Sequence, residues 1–182
     1  MRKLAIVDVD DTLWNFSEPL LKILHERHGL PEKLNRDWNW YLEYGITERQ
    51  FKRAIEYAHE AQALYEPFPG ALELFAYLDK SGREVVVASH RPRQKAPGLV
   101  RWLERRRLEP YSGVYCGASK EFLIEAGPTT LVVDDKPATI NYAAGLGAIV
   151  ITIAYPWNAG TLATYRAKNM RDLVRWLRAN KI

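Results

Sequence analysis

The fold is decided by one stretch near the start of the chain, Leu4-Ala5-Ile6-Val7-Asp8-Val9-Asp10-Asp11-Thr12. Its first half is short and aliphatic and is followed at once by polar residues, which is typical of a buried strand. Three further apolar runs have the same form: Val85–Ala88 before Ser89, Gly113–Cys116 before Lys120, and Leu131–Val133 before Asp134 and Asp135. Polar residues that follow parallel strands meet at one edge of the sheet, where open α/β folds bind ligands. The four motifs therefore predict a single site.

Helical patterns alternate with these strands in the second half of the chain. Helices are predicted over Gly98–Leu108, Lys120–Ala126, Pro137–Leu146 and Met170–Ala179, and a further strand over Ala148–Ile153. Strands that alternate with helices indicate βαβ units. We therefore predict an α/β fold with a mainly parallel sheet.

The stretch between the first strand and residue 70 has a different pattern. It contains helical segments near Glu18–His28 and Glu48–Leu64, and Thr47 and Gln50 form the capping-box pattern that begins a helix. No convincing strand pattern occurs there. We predict a core of residues 1–15 and 71–182, with a small helical cap of residues 16–70 inserted after strand 1.

Composition narrows the class of protein. The chain has 182 residues, enough for one domain with a small insertion, and its hydrophobic content of 47% is ordinary for a globular protein. It has no apolar run of about 18 residues, so no membrane span is expected, and its single cysteine, Cys116, fits a reducing cytoplasm. The net charge of +4 attracts phosphorylated small molecules, whereas no motif for binding a nucleic-acid polymer is visible. We expect a cytoplasmic protein with a small phosphorylated substrate.

The acidic residues of the first motif suit phosphoryl transfer. Two carboxylates in a segment that leaves a strand can address different sides of one phosphorus, one as nucleophile and the other as proton donor to the leaving oxygen. The substrate phosphate repels such a nucleophile, so a bound cation and a lysine are needed to neutralise its charge. Hard oxygen ligands without a cluster of His or Cys favour Mg²⁺ over zinc.

The chain resembles the haloacid dehalogenase (HAD) superfamily of phosphohydrolases in four motifs. In order, these are Asp8-x-Asp10-x-Thr12, a hydrophobic strand that ends in Ser89, Lys120, and Asp134-Asp135. The resemblance implies a Rossmannoid three-layer α/β/α core and an aspartyl-phosphate intermediate. It implies Asp8 as the nucleophile and Asp10 as the general acid/base. The second acid favours phosphate as the substrate group, because dehalogenases of the superfamily lack it. Asp11 stands where many members have glycine, which changes none of these roles.

The same resemblance implies the ligands of the metal and of the phosphate. Three groups would bind Mg²⁺ directly: the carboxylates of Asp8 and Asp135 and the main-chain carbonyl of Asp10. Asp134 would act indirectly, by orienting a water molecule bound to the metal. Ser89 would donate a hydrogen bond to the transferred phosphoryl group, and Lys120 would pair with that group and with Asp8.

A narrower resemblance is to the 5′(3′)-deoxyribonucleotidase branch of the superfamily. It rests on Asp8-Val-Asp-Asp-Thr-Leu-Trp-Asn-Phe16 and on a helical insertion of this length. In that branch an aromatic residue eight after the nucleophile, here Phe16, sandwiches the base together with aromatic residues of the cap. The candidates in this cap are Trp38, Trp40, Tyr41 and Tyr44. The favoured substrate is then a nucleoside monophosphate, and the alternative is that these aromatic residues form the core of the cap.

Two loops and three histidines complete the set of candidates. The loop that begins with His90 and Arg91 could hold the substrate phosphate, or it could be a solvated loop. Segment Ala154–Asn158 follows the last predicted strand and could line the substrate entrance. His25, His28 and His59 have no metal-ligand spacing, so we expect them at the surface or at helix ends.

Three other functions stay open on this evidence. One is the magnesium-dependent phosphatase branch, whose substrates are sugar phosphates or phosphoproteins. Another is a phosphotransferase, in which a hydroxyl group replaces water as acceptor. The third is a non-catalytic module that binds phosphate.

Overall fold

The computed structural model describes residues 3–33, 40–125 and 130–182. Its strands are β1 (Lys3–Val7), β2 (Arg83–Ser89), β3 (Gly113–Cys116), β4 (Leu131–Val133), β5 (Ile149–Ile153) and β6 (Tyr165–Ala167). Its α-helices are α1 (Ser17–His28), α2 (Glu48–Ala61), α3 (Ala71–Lys80), α4 (Ala96–Arg105), α5 (Glu121–Ile124), α6 (Pro137–Gly145) and α7 (Met170–Asn180). Short 3-10 turns lie at Trp40–Tyr44, Gln62–Leu64, Arg93–Lys95 and Pro156–Asn158.

The six strands form one sheet in the order β3-β2-β1-β4-β5-β6, and every neighbouring pair is parallel. A parallel pair needs a crossover connection, usually a helix, between its strands, which is why helices separate most of them along the chain. The predicted α/β class with a parallel sheet is confirmed. β1 lies inside the sheet between β2 and β4, so the acidic motif that follows it emerges in the middle of the sheet edge.

Helices cover both faces of the sheet, as the three-layer prediction requires. Side chains alternate along β1, so Ala5 and Val7 face one layer and Ile6 faces the other, all fully buried. The first layer contains apolar residues of α3, α4 and α7. The second is smaller and contains apolar residues of α5 and α6. A sheet buried on both faces explains why its strands are continuous aliphatic runs.

The chain between β1 and α3 forms the helical cap. α1 and α2 pack against each other, and α2 begins at the predicted capping box: Thr47 Oγ1 accepts from Gln50 N at 3.3 Å while Gln50 Oε1 accepts from Thr47 N at 2.9 Å. The limits of the cap at residues 16 and 70 stay a prediction. None of the described helices is long and apolar enough to cross a membrane.

The sequence patterns miss or misplace some elements. β6 was not predicted, because Tyr165-Arg166-Ala167 lacks an aliphatic run and pairs only with β5 at the sheet edge. The helix expected over Gly98–Leu108 lies two to three residues earlier in the chain, since Pro97 supplies its first turn.

Candidate active site

The predicted motifs meet at the carboxyl edge of the sheet. Val7 of β1 is level with Val87 of β2 and Val133 of β4, so β1 and β4 end at the same height and β2 continues two residues further. The main chain continues this pairing past the strands, because Asp8 N donates to Val133 O at 2.8 Å. Ser89 ends β2, and its side chain is fully buried.

A buried lysine links two of the acids. Lys120 Nζ donates to Asp8 Oδ1 and, at 2.7 Å, to Asp134 Oδ2. The side chains are almost entirely shielded from solvent, with 1% of Lys120, 6% of Asp8 and none of Asp134 exposed. Burial opposes the ammonium charge, but the carboxylates of Asp134 and Asp8 outweigh it, and the pKa of Lys120 is raised. Lys120 is therefore a permanent positive charge on the floor of the site.

Three carboxylates lie close enough to share one cation. Asp8, Asp134 and Asp135 each offer an oxygen atom, and these atoms lie within 4.8 Å of one another. Asp134 already accepts from Lys120 and from Lys136 N at 2.9 Å, while Asp135 Oδ2 accepts from Trp157 Nε1 at 3.0 Å. Both oxygens of Asp134 thus already accept hydrogen bonds, which makes Asp8 and Asp135 the stronger candidates for direct contact with a metal.

The electrostatics of this acidic cluster fit a divalent cation. Burial and the charges of Asp134 and Asp10 raise the pKa of Asp8 to about 7, although Lys120 opposes the shift. Burial and the charges of Asp8 and Asp11 likewise raise the pKa of Asp135. Carboxylates that repel one another in a buried place are stabilised by a cation, and an all-oxygen donor set suits Mg²⁺.

Asp10 is held by donors from three separate parts of the chain. Trp14 Nε1 donates to Oδ1 at 3.0 Å, His59 Nε2 lies 3.1 Å from Oδ2, and Arg91 binds both oxygens through Nε and Nη2. Ser89 Oγ is 3.5 Å from the same Oδ2. Burial opposes the charge of Asp10, but the attraction of Arg91 and His59 outweighs it, and the pKa of Asp10 is lowered.

The loop after β2 is solvated only in part, because Arg91 is buried and His90 half-buried while Pro92 and Arg93 are exposed. Arg91 has 3% of its side chain exposed, and it binds Asp10 and, through Nη1 at 2.6 Å, Gln62 Oε1. His90 lies next to Ala118 O, 3.1 Å from its Nδ1. Burial and the nearby charges of Lys120 and Lys136 lower the pKa of His90 to about 4, so the ring is neutral at pH 7.

Asp11 has a structural task. Its backbone is in the left-handed region, with φ of 54°, which explains why this position suits glycine and also tolerates aspartate. Its carboxylate accepts from Ser17 N at 2.8 Å and from Ser17 Oγ at 2.6 Å, so it fixes the start of α1. Burial raises its pKa to about 7. Asp11 thus joins the acidic motif of the core to the first helix of the cap.

A cavity of about 400 Å³ lies between the acidic floor and the cap. Asp8, Asp10 and Asp135 line its floor, and His90 and Arg91 line its wall. The cap side contributes side chains of aromatic, aliphatic and imidazole type: Phe16, Ile55 and His59. Trp157, from the predicted segment Ala154–Asn158, closes another side, where it stacks on Tyr155 with ring centroids 4.4 Å apart.

The aromatic candidates of the cap do not all reach this cavity. Phe16 lines it, although only 3% of the residue is exposed. Trp40 and Tyr41 are buried in the cap and do not line the cavity: Tyr41 stacks on Phe51 at 3.8 Å between ring centroids, and Trp40 packs edge-on against Tyr44. Trp38 lies outside the described residues. The structure places Trp40 and Tyr41 in the packing of the cap.

Comparison with known proteins agrees with this geometry. The family model described as 5′ nucleotidase, deoxy (pyrimidine), cytosolic type C protein (NT5C) matches residues 2–182, which is nearly the whole chain. The chain belongs to this family. As a member of the NT5C family it is a HAD-type phosphatase and hence a hydrolase. A search of curated proteins gave no match.

Solved structures show the same fold at low sequence identity. A HAD-superfamily hydrolase of subfamily IA from Geobacter sulfurreducens is 18% identical, with a TM-score of 0.60, and the match covers 97% of this chain and 96% of that one. CbbY from Rhodobacter sphaeroides, solved in complex with phosphate, is 17% identical, with a TM-score of 0.65 and coverage of 95% and 96%. A hydrolase from Pseudomonas syringae is 18% identical, with a TM-score of 0.65 and coverage of 98% and 99%. These matches confirm the HAD-like fold of the NT5C-family chain.

His59 is the site residue that sequence reasoning missed. The expected helix-end position is confirmed, since His59 lies in the last turn of α2, but the expectation gave it no part in the site, whereas 9% of its side chain is exposed and its ring contacts Asp10. A signal was present: Phe51, Ile55 and His59 are spaced by four residues and share one face of α2. A histidine on the apolar face of a cap helix points towards the core, and here it reaches the cavity under the cap. Gln62, the partner of Arg91, continues that stripe one turn later.

Proposed function

We propose that this NT5C-family phosphatase hydrolyses nucleoside monophosphates through a phosphoryl group carried on Asp8, with Mg²⁺ as cofactor. The observation that supports this proposal best is the buried bridge of Lys120 between Asp8 and Asp134, set below a cavity that also contains Asp10. It supports the proposal because the reaction needs a nucleophile, a permanent cation and a second acid around one point.

The first half of the reaction uses Asp8 and Asp10. An oxygen of Asp8 attacks the substrate phosphorus, the bond to the ester oxygen breaks, and that oxygen takes a proton from Asp10. Because Arg91 and His59 lower the pKa of Asp10, this step requires that Asp10 has taken up a proton when the substrate is bound. In the second half Asp10 accepts a proton from water as the water oxygen attacks the phosphorus and releases Asp8. Lys120 neutralises charge at the phosphoryl oxygens in both halves, which is the main source of acceleration in such reactions.

Asp8, Asp135 and the main-chain carbonyl of Asp10 would hold Mg²⁺, and Asp134 would orient a water molecule bound to it. When bound, Mg²⁺ supplies charge neutralisation at the phosphate. Asp134 suits an indirect role because both of its oxygens already accept hydrogen bonds, from Lys120 and from the main chain of Lys136.

Ser89, His90 and Arg91 are the proposed phosphate-binding residues beside Lys120. Ser89 Oγ lies at the end of β2, close to Asp10. Arg91 uses three of its five N–H groups on Asp10 and Gln62, so two remain for an anion. The ring of His90 is neutral, and its single N–H donates from Nδ1 to Ala118 O, so Nε2 could donate to the phosphate only after taking up a second proton.

We propose that Phe16 and Trp157 supply the apolar walls that contact the base. Phe16 stands eight residues after Asp8, and both side chains line the cavity. Trp40 and Tyr41 do not contact the base in this proposal, and they act indirectly by packing inside the cap that carries Phe16. A cytoplasmic location is part of the proposal, supported by the word cytosolic in the family description and by a single, buried cysteine.

A substrate panel tests the proposal. Phosphate release is measured with Mg²⁺ for deoxy- and ribonucleoside monophosphates, sugar phosphates, a phosphopeptide and p-nitrophenyl phosphate, with Asp8→Asn as the inactive control. We expect the highest kcat/KM for a nucleoside monophosphate. A preference for sugar phosphates or the phosphopeptide would favour the magnesium-dependent phosphatase alternative. Phosphate appearing on an added alcohol rather than in solution would indicate a phosphotransferase.

A further inference from the structure

One turn of the cap touches the proposed acid/base group of the core. His59 lies in the last turn of α2, and Gln62 follows it three residues later at the start of the next 3-10 turn. Residues three apart on a helical segment lie on the same side. Both side chains are shielded, with 9% of the His59 side chain and 3% of Gln62 exposed.

The two cap residues converge on Asp10 by different routes. His59 Nε2 contacts Asp10 Oδ2 directly at 3.1 Å. Gln62 Oε1 accepts from Arg91 Nη1 at 2.6 Å, and the other two nitrogens of that guanidinium bind the two oxygens of Asp10. A planar guanidinium that binds both oxygens fixes the plane of a carboxylate. Gln62 therefore holds the group that orients Asp10, and His59 holds Asp10 itself.

Further contacts hold His59 and the acidic motif in these positions. The ring of Phe16 packs against that of His59, with centroids 4.8 Å apart. Asp11 anchors the start of α1 to the acidic motif through Ser17. Trp14 supplies a third donor to Asp10 from the core side. The cap is thus attached to the acidic motif at both of its ends, around Ser17 and around His59.

We propose that His59 and Gln62 are positioning residues through which the cap orients Asp10 for proton transfer. The inference rests on the proposed acid/base role of Asp10 and adds that the cap, besides enclosing substrate, completes the acid/base group. Nothing in this role requires either residue to touch the substrate. Misplacing a reacting group by about 1 Å can cost about 100-fold in rate, so the expected effect is on kcat.

The test compares His59→Ala, His59→Gln and Gln62→Leu with Glu56→Ala, an exposed residue on the same helix. Steady-state kinetics use phenyl phosphate, whose leaving group needs a proton, and p-nitrophenyl phosphate, whose leaving group scarcely does. We expect His59→Ala to lower kcat for phenyl phosphate about 10- to 100-fold with little change in KM, and to have a smaller effect on kcat/KM for p-nitrophenyl phosphate, which reports the first half of the reaction alone. Gln62→Leu should show the same pattern more weakly. Glutamine can still donate from this position, so His59→Gln should recover part of kcat, and Glu56→Ala should match the wild type.

A double-mutant cycle with Asp10→Asn separates positioning from a merely structural role. If His59 acts through Asp10, then adding His59→Ala to Asp10→Asn should change kcat less than about 2-fold. A full further loss in that background, an effect on KM alone, or equal losses of kcat/KM on both substrates would overturn the inference. Failure of the proposed function is distinguishable, because then Asp10→Asn alone would behave as the wild type or the wild type would release no phosphate. Melting curves of every variant identify any that do not fold.

Discussion

The floor and the roof of the cavity are built by different means. On the floor, Asp8 and Asp135 line the cavity and Asp134 and Lys120 are buried beside them. β1 and β4 place the three acids through main-chain pairing. His59, Phe16 and Ile55 form the roof, and their places depend on how α1 and α2 pack over the sheet. Strand register therefore fixes the positions of the three acids, while the positions of the residues that cover the cavity and contact Asp10 depend on side-chain packing between cap and core.

Asp8→Asn should have the largest effect, because an amide cannot carry the phosphoryl group. We expect kcat to fall more than about 100-fold, a loss of several kcal/mol in transition-state stabilisation. Phosphate release from p-nitrophenyl phosphate and from a nucleotide measures it. A variant that retains more than about a hundredth of the wild-type rate would exclude Asp8 as the nucleophile.

The next largest effect is expected when the metal is removed from the proposed site at the cavity floor. EDTA should abolish activity and Mg²⁺ restore it, and Asp135→Ala should need far more Mg²⁺ or remain inactive. Full activity in EDTA would contradict the metal site.

The pH dependence of the melting temperature in EDTA is a second measurement of the proposed metal site. The pKa of Asp8 is raised from 3.8 to about 7 in the folded chain, so the folded state binds more protons than the unfolded state between those values. In EDTA this group therefore lowers stability as the pH rises from about 4 to about 7. We expect the Tm in EDTA to fall across that range more steeply for the wild type than for Asp8→Asn, and Mg²⁺ to remove most of the difference. Parallel curves for the two proteins would show that Asp8 is not the titrating group.

Phe16→Leu probes the roof and should have an intermediate effect. Leucine fills most of the space beside Trp14 and His59 but cannot stack on a base. Loss of a stacking partner costs roughly 1–3 kcal/mol, so KM for a nucleotide should rise about 5- to 150-fold while p-nitrophenyl phosphate hydrolysis stays nearly unchanged. Equal losses on both substrates would mean that Phe16 supports the acidic motif that carries Asp8 and Asp10. No loss on either would remove base stacking by Phe16 from the proposal.

Tyr41→Leu should have the smallest effect on catalysis. Tyr41 stacks on Phe51 inside the cap, and such an aromatic pair is worth about 0.5–1.5 kcal/mol beyond the area it buries. We expect a lower Tm with KM for nucleotides unchanged. A nucleotide-specific rise in KM without a change in Tm would instead return Tyr41 to the substrate-binding residues.

The same contrast explains how much could be predicted from sequence. Asp8, Ser89 and Asp134 each follow an aliphatic run directly, so local sequence marks both the strand and the residue at its end. β6 has no such run, and its three residues form a strand only because β5 offers an edge. The contacts of Asp10 with His59 and Arg91 join residues 49 and 81 positions apart, and no local pattern encodes them. The roof could therefore be predicted as a helical cap, but which of its side chains face the cavity depended on packing.

Capture of a phosphorylated Asp8 tests the central claim most directly. Asp10→Asn should slow the attack of water more than the first step when the leaving group is p-nitrophenolate, so the phosphorylated enzyme should accumulate. Acid quench during turnover, proteolysis and mass spectrometry would locate the added phosphoryl group. We expect one phosphoryl group on the peptide that contains Asp8, and none in Asp8→Asn. Release of p-nitrophenolate by Asp10→Asn without any phosphorylated peptide, or with the group on another residue, would contradict the claim.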